Sequence, residues 1–153
     1  MPVTIRPAEP SAGEIAALAK LRYDTFFAGG ERTLEQDRDE IGNFIRNQGY
    51  EIAFVAEQDG RLAGTCLFVR EEIDPQHDVS PWLAGLVVVP EFRGRGIATL
   101  LVGAIEVHAR SLGCERLHLY TYGAEGLYAS LGWQAIERFR DDHGLCVLMA
   151  KDL

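Results

Sequence analysis

Long apolar runs and basic residues are what this sequence lacks most clearly. No apolar stretch approaches the ~20 residues that cross a membrane, and the opening MPVTIRPAEP does not resemble a signal peptide. Lys and Arg number 15 against 23 Asp and Glu, for a net charge of −8. This deficit argues against binding to nucleic acid. It favours cationic small molecules or peptides as partners, although solubility alone would equally explain it.

Cysteine is also scarce, which bears on redox compartment and metal binding. Cys66, Cys114 and Cys146 are an odd number of residues, far apart, without the spacing of metal ligands. They are therefore expected to be reduced core residues of a cytoplasmic protein that holds no metal.

Enough apolar content is present, 47% of 153 residues, to build the core of one domain covering residues 1–153. Capping signals and apolar periodicity predict helices beginning near Ser11, Thr33, Ile97 and Glu125. Alternating or buried apolar runs predict seven strands, at residues 3–6, 51–57, 61–70, 83–89, 116–121, 133–139 and 145–150. This order predicts a single mixed α/β sheet with helices on both faces.

The stretch VVVPEFRGRGIATLL, residues 87–101, joins a buried strand directly to the most periodic helix of the chain. Gly94 and Gly96 stand at the start of that helix, where unpaired N–H groups and the helix dipole favour an anion. Because glycine lets the backbone approach a ligand closely, the arrangement suits a phosphate or diphosphate. Arg93 and Arg95 add positive charge for further phosphate oxygens.

Two common phosphate-binding patterns do not fit this loop. It has no lysine, which the Walker pattern requires, and Thr99 stands where the dinucleotide fingerprint needs its third glycine. The pattern that fits is Arg/Gln-x-x-Gly-x-Gly/Ala, carried by Arg93, Gly96 and Ala98.

With LVVVPEFRGRGIATLL at 86–101 and LYASLGW at 127–133, the chain resembles the GNAT superfamily of acyl-CoA-dependent N-acyltransferases. The second stretch is similar to the family's Leu-Tyr-x-x-x-Gly-aromatic signature. The resemblance implies a mostly antiparallel, twisted sheet of about seven strands with four helices. It further implies acetyl-CoA as cosubstrate, an amine as acceptor, and a homodimer.

The resemblance also implies where the cosubstrate binds. The pantetheine arm would pair, like an added strand, with the backbone of Leu86, Val87 and Val88. Arg93 belongs to the same motif. The diphosphate would lie on the main-chain N–H groups of Gly94, Arg95, Gly96, Ile97, Ala98 and Thr99.

Amine acetylation needs an oxyanion donor, an acid for the leaving thiolate and a base for the amine. By resemblance, the N–H of Val88 would stabilise the oxyanion and Tyr128 would protonate the thiolate. A tyrosine that only packs against the sheet is the alternative. The base is not evident, since Trp82 occupies the position where many relatives carry glutamate. Candidates are His77, Asp78, Tyr122 and His118.

The acceptor site is less defined by the sequence. Thr121 stands where the family often has asparagine, and Tyr122 is a candidate lining residue. Residues 31–40 and 71–78 are rich in Asp and Glu, which suggests a polyamine, an aminoglycoside-like amine or a basic peptide. Solvated faces would explain these charges equally well. Four aromatic residues are expected either in the pocket wall or in the core: Tyr23, Phe26, Phe27 and Trp82.

Two other classes of function remain open at this point. A non-catalytic acyl-CoA sensor would keep the phosphate loop without needing Tyr128. A phosphate-loop nucleotide enzyme would need the lysine that the loop lacks.

Overall fold

A seven-stranded sheet forms the centre of the computed structural model, which describes residues 2–153; Met1, part of the predicted domain, lies outside the described residues. The strands are β1 (Thr4–Pro7), β2 (Ile52–Gln58), β3 (Arg61–Val69), β4 (Trp82–Val88), β5 (Arg116–Thr121), β6 (Gln134–Asp141) and β7 (Gly144–Asp152). Their order is β1-β2-β3-β4-β5-β7-β6. Among the strands of residues 2–153, only β4 and β5 pair in parallel, so the expected mixed, mostly antiparallel sheet is confirmed.

Four α-helices cover the sheet, as the sequence predicts: α1 (Ala12–Arg22), α2 (Leu34–Arg46), α3 (Ile97–Ser111) and α4 (Glu125–Ser130). Thr33 and Gln36 form the complete capping box expected at the start of α2. The box expected at α1 is only half formed. Ser11 accepts the Glu14 N–H, but the Glu14 carboxylate binds Arg6 and the Glu9 N–H instead.

Helices on opposite faces of the sheet bury two separate cores. On one face, Leu18 of α1 and Ile41 of α2 pack in a cluster that includes Trp82. On the other face, Leu101 of α3 and Tyr128 of α4 belong to a second cluster. Because β4 contributes side chains to both clusters, it is held from both sides at the centre of the fold.

Several element ends differ slightly from the sequence-based expectation. The first helix ends at Arg22, where its hydrogen bonding changes into a π-helical turn, Tyr23–Phe27. A short 3-10 turn, Pro90–Phe92, follows β4. Asp59 and Gly60, both with positive φ angles, form the turn between β2 and β3. Strands β6 and β7 extend to Asp141 and Gly144, which shortens the expected final loop.

Candidate active site

The start of α3 presents unpaired main-chain groups to open space. Gly96 precedes the helix with a left-handed φ of 77°, and no side chain in the described part of the chain caps the helix. The carbonyl of Gly96 already accepts from the Leu100 N–H at 3.2 Å, so the N–H groups of residues 97–99 have no partner within the helix. A Cβ at Gly94 or Gly96 would meet no atom within 4 Å. The backbone here is therefore arranged as an anion-binding helix terminus.

A cleft of about 250 Å³ opens directly in front of this helix start. It is lined by Val88, Phe92, Arg93, Gly94, Gly96, Ile97, Ala98, Thr99 and Leu127. The structure thus brings most of the predicted diphosphate residues to one surface, together with Val88. Arg93 is fixed there by a hydrogen bond from its Nε to the Val88 carbonyl, at 3.2 Å.

Three of the predicted cosubstrate residues do not line the cleft. Arg95 directs its Nη1 to Oε1 of Gln58 at 3.0 Å, and its guanidinium lies over the Phe92 ring. The side chain therefore does not add its charge to the cleft wall. Val87 is buried opposite Thr65 of β3, and Leu86 packs against the core on the α3 side. Any contact of Leu86 or Val87 with a ligand would use the main chain.

Strands β4 and β5 separate beside the cleft. Within residues 2–153 their pairing is limited to Trp82 opposite His118, supported by a bond from the His118 N–H to the Pro81 carbonyl. On its other side, β4 stays paired with β3, where the Val89 N–H donates to Ala63 at 2.8 Å. Because successive residues of a strand alternate in direction, the Val88 N–H faces the gap. The gap thus exposes backbone groups of β4 to a ligand.

A bulge interrupts β4 in the middle of this gap. The register with β3 shifts between Thr65 and Leu67, and Gly85 adopts a φ of 62°. A Cβ at Gly85 would lie 3.1 Å from Nη1 of Arg22 and 3.1 Å from Cδ1 of Leu67. A side chain here would be strained by the positive φ and would crowd both atoms, and the buried Arg22 lies against the bulge.

Tyr128, the predicted proton donor, is 6% exposed on α4 and packs edge-on against Trp133 at 6.0 Å between ring centroids. Burial, reinforced by nearby Cys66, raises the pKa of its phenol well above the usual value. Its hydroxyl makes no hydrogen bond within the part of the chain that the structure describes. Tyr128 is consequently a phenol held in its protonated form without a protein acceptor.

Two predicted acceptor residues have structural roles. Trp82 is fully buried, donates from Nε1 to the Val79 carbonyl at 2.9 Å and stacks on Tyr120 at 4.6 Å, so it is a core residue. Thr121 is also buried, and its Oγ1 accepts the Ala124 N–H at 3.0 Å. That bond shapes the turn leading into α4.

His77 is bound at both ring nitrogens. Its Nδ1 lies 2.8 Å from the Tyr120 hydroxyl and its Nε2 lies 2.8 Å from the Glu137 carboxylate. These bonds fasten the loop after β3 to β5 and β6. Asp78, one residue further along, is exposed. As a base, His77 would first have to leave one of its two partners.

The other two base candidates lie apart from each other. His118 is buried and bonded through Nδ1 to the Pro81 carbonyl, and burial lowers its pKa, so the ring is neutral at pH 7. Tyr122 is half exposed near the β6–β7 turn, where its hydroxyl donates to the Asp141 carboxylate. The structure therefore does not gather the predicted bases around one point.

A charged cluster on the α1–α2 side escaped the sequence analysis. Asp37 is fully buried between Arg22 and Arg32, with N–O distances of 3.2 and 2.9 Å. Burial raises the pKa of the Glu72 carboxyl, in the segment after β3, while the Ile73 N–H and the charge of Arg22 limit that rise. Arg22 lies in the apolar stripe of α1, and this unusual position in the sequence could have indicated a buried ion pair. Nothing distinguished Glu72 from neighbouring acidic residues of its loop.

A second depression in the surface is less suited than the cleft to bind a phosphate. A depression of about 340 Å³ on α2, lined by Glu40, Asn43, Phe44, Asn47 and Glu51, carries no basic side chain.

Among residues 2–153, no group of three or more His, Cys, Asp or Glu side chains could hold a metal. Over the same residues, none of the helices has the length and apolar character to cross a membrane.

The sheet, the start of α3 and the cleft beside them define an α/β protein with a candidate phosphate-binding site. Residues 15–133 match the acetyltransferase (GNAT) family, and the chain belongs to that family. The predictions of family and of enzyme class, an acetyl-CoA-dependent N-acetyltransferase, are confirmed.

Relatives agree with this assignment. An uncharacterised N-acetyltransferase of Escherichia coli K12, YjhQ, is 29% identical over 64% of this chain and 59% of its own length. An acetyltransferase of Pectobacterium atrosepticum is 27% identical over 70% of this chain and 69% of its own. The solved structure of an aminoglycoside 6'-N-acetyltransferase complexed with coenzyme A superposes with a TM-score of 0.77, at 18% identity over 99% of this chain and 97% of its own. The last comparison concerns the fold alone.

Proposed function

We propose that the protein transfers an acetyl group from acetyl-CoA to a primary amine on a cationic small molecule. The observation that carries this proposal is the cleft at the start of α3, where unpaired N–H groups face open space next to the gap between β4 and β5. A diphosphate and a polar amide arm are the two ligand features that such surfaces suit.

The residues present fit the cosubstrate. Main-chain N–H groups of residues 94–99 would bind the diphosphate, with Arg93 beside them on the cleft wall. Backbone groups of residues 86–88, at the edge of β4 left open by β5, would pair with the pantetheine amides. A structurally similar aminoglycoside acetyltransferase was crystallised with coenzyme A, which supports the same use of this fold.

Two groups then act on the reacting atoms. The N–H of Val88, which faces the gap, would donate to the oxyanion that forms when the amine attacks the thioester carbonyl. Tyr128 would donate its phenolic proton to the departing thiolate. Burial keeps the phenol protonated throughout the physiological pH range, so the proton is present when the thiolate leaves.

Acidic residues support a cationic acceptor, although fewer of them are available than the sequence suggests. Asp37 is buried and bound to Arg32, and the exposed Glu40 is bound to the same arginine. The exposed acidic residues of the two segments that form no ion pair within residues 2–153 are Glu31, Glu35, Asp39, Glu71, Asp74 and Asp78. A polyamine or an aminoglycoside-like amine fits this distribution of charge.

An acceptor screen that measures free coenzyme A tests the proposal. Purified protein with acetyl-CoA is offered spermidine, kanamycin, lysine and a peptide with a free N-terminus. Release that depends on spermidine or kanamycin supports a cationic small-molecule acceptor. Release with the peptide alone would point to a protein amine. No release with any amine, despite binding of acetyl-CoA, would favour a sensor and contradict the proposal.

Four broader expectations accompany this function and stay predictions. They are a single catalytic domain over residues 1–153, a cytoplasmic location, a homodimer and activity without a metal.

A further inference from the structure

Arg22, the last residue of α1, is a buried arginine with one nitrogen left without a partner. Asp37 accepts hydrogen bonds from its Nε and Nη2, both at 3.2 Å, and the arginine is only 8% exposed. Within residues 2–153, Nη1 makes no hydrogen bond. Nη1 is not fully enclosed either, because over the same residues the enclosed side-chain atom that lacks a partner is Nε1 of Trp133. The N–H groups of Nη1 therefore point into space that solvent can reach.

Gly85 shows where Nη1 lies relative to the reaction centre. Nη1 is 3.1 Å from the position that a Cβ on Gly85 would occupy, so the guanidinium lies directly against the bulge of β4. Gly85 belongs to the stretch of β4 beyond Trp82 that is not paired with β5, and it is partly exposed. The unpaired nitrogen consequently borders the gap between the two strands.

This nitrogen and the cosubstrate cleft lie on opposite faces of the sheet. Leu67, whose Cδ1 is also 3.1 Å from the Cβ position of Gly85, packs in the core on the α1–α2 side. Phe92 and Ile97, which line the cleft, pack in the core on the α3 side. A thioester held in the cleft would reach the gap from the α3 side, and an amine would reach it from the side of Arg22.

Neighbouring side chains hold the guanidinium in one orientation. Its two bonds to Asp37 anchor it to α2, and Arg32 donates to the same carboxylate at 2.9 Å. The ring of Phe27, in the π-helical turn, has its centre 5.8 Å from Cζ of Arg22 and 4.7 Å from Cζ of Arg32. Two carboxylates balance the two guanidinium groups of this cluster, since Glu40 also binds Arg32. Nη1 is thus a preorganised donor whose charge is already balanced.

We infer that Nη1 of Arg22 donates a hydrogen bond to an oxygen atom of the acceptor. The preferred acceptor therefore carries a hydroxyl or carboxylate oxygen near its reacting amine. This inference rests on the proposed acetyl transfer and narrows its substrate class. Arg22 takes no part in proton transfer, and its role is to select the acceptor.

An aminoglycoside-like amine satisfies this donor, whereas a polyamine does not. Amino sugars carry hydroxyl oxygens close to their amines, but the protonated nitrogens of spermidine are donors only. A polyamine bound beside Arg22 would displace water from Nη1 without replacing its hydrogen bond. The unpaired N–H groups would then reduce the affinity for the polyamine.

Arg22→Lys separates this role from the anchoring of α1 to α2. A lysine side chain keeps the positive charge beside Asp37 but has no second branch to place at Gly85. Coenzyme A release is measured with kanamycin, free lysine and spermidine, which offer hydroxyl oxygens, a carboxylate and no oxygen. For whichever oxygen-bearing amine the wild type acetylates, kcat/KM should fall on the order of 10- to 100-fold, while the value for spermidine should hardly change. Arg38→Lys, at an exposed position of α2, should leave all three values as they are.

The wild type should prefer kanamycin or free lysine to spermidine, and acetyl-CoA should raise the melting temperature of every variant equally. A folded Arg22→Lys variant that lost equal activity with all three amines, or none with any, would overturn the role of Arg22 and leave acetyl transfer intact. If the variant does not fold, the wild type decides, because spermidine used as efficiently as the oxygen-bearing amines would also overturn it. A wild-type protein that released no coenzyme A with any of the three would instead contradict the proposed function itself.

Discussion

The two sides of the gap between β4 and β5 are built in different ways. The cosubstrate side consists of main-chain groups from one continuous stretch, the end of β4 and the start of α3. The opposite side, called the acceptor side because we propose that the amine enters there, consists of side chains from distant parts of the chain, such as Arg22 beside Gly85 and Tyr120 beside Trp82. A binding site made of main-chain groups needs mainly a helix start and glycine. A binding site made of side chains depends on every helix and strand whose packing holds those side chains in place. Substitutions should therefore act differently on the two sides.

The largest effect is expected where the acceptor side is anchored. Asp37→Ala removes the buried carboxylate that holds Arg22 and Arg32, leaving Arg22 buried without its partner. This should reduce the free energy of unfolding by about 3–5 kcal/mol. Urea denaturation measures the change. Asp39→Ala, on the exposed side of the same helix, should stay within about 0.5 kcal/mol of the wild type. If Asp37→Ala and Asp39→Ala reduced the free energy of unfolding by similar amounts, the buried ion pairs of Asp37 would not stabilise the fold as described.

Substitution of Tyr128 tests the proposed proton transfer to the thiolate. Tyr128→Phe keeps the packing against Trp133 but removes the proton donor, so kcat should fall at least about tenfold. The affinity for acetyl-CoA, measured by calorimetry, should hardly change. Since burial raises the pKa of the phenol, and an acid must be protonated to act, the wild-type rate should show no loss from this group below pH ~10. An unchanged kcat would assign Tyr128 to packing alone.

Glycine substitutions within one helix examine the backbone side directly. Gly96 has a left-handed φ of 77°, so Gly96→Ala should cost about 1 kcal/mol of stability and weaken acetyl-CoA binding. Gly103, exposed in the same helix with ordinary backbone angles, provides the matched control. Gly103→Ala should add up to about 1 kcal/mol and leave binding as it was. Thermal unfolding with and without acetyl-CoA distinguishes the two, and equal effects would argue against a special conformation at Gly96.

Ionic strength gives the smallest expected effect and addresses the acidic surface. If exposed acids attract a polyamine, the KM for spermidine should rise a few-fold, on the order of 3-fold, between low and physiological salt. The KM for acetyl-CoA should not follow the same trend, because acidic residues do not attract an anion. A salt-independent KM for spermidine would leave the acidic segments with solubility as their role.

This contrast also explains what the sequence could predict. The helix start at Gly96 and the position of Tyr128 could be predicted because each depends on a short local pattern. The buried state of Asp37 could not, because it results from two arginines that approach from separate segments. The two partners of His77, Tyr120 and Glu137, could not be predicted either, because tertiary packing brings them to its loop from β5 and β6.

The bulge at Gly85 shows the same limit at the level of the backbone. Its glycine is visible in the sequence, but the shift of register against β3 and the arginine lying over it arise only when three elements pack together. The base could not be chosen from the sequence for the same reason, since the packed surroundings of each candidate group determine its pKa and its hydrogen-bond partners.

Amide chemical shifts in ¹⁵N-labelled protein titrated with coenzyme A test the central claim most directly. If main-chain N–H groups at the start of α3 bind the diphosphate, the largest shifts will belong to residues 94–99, and amides lining the depression on α2, such as Asn43 and Asn47, will not move. Coenzyme A that bound while leaving the amides of residues 94–99 unperturbed would contradict the account.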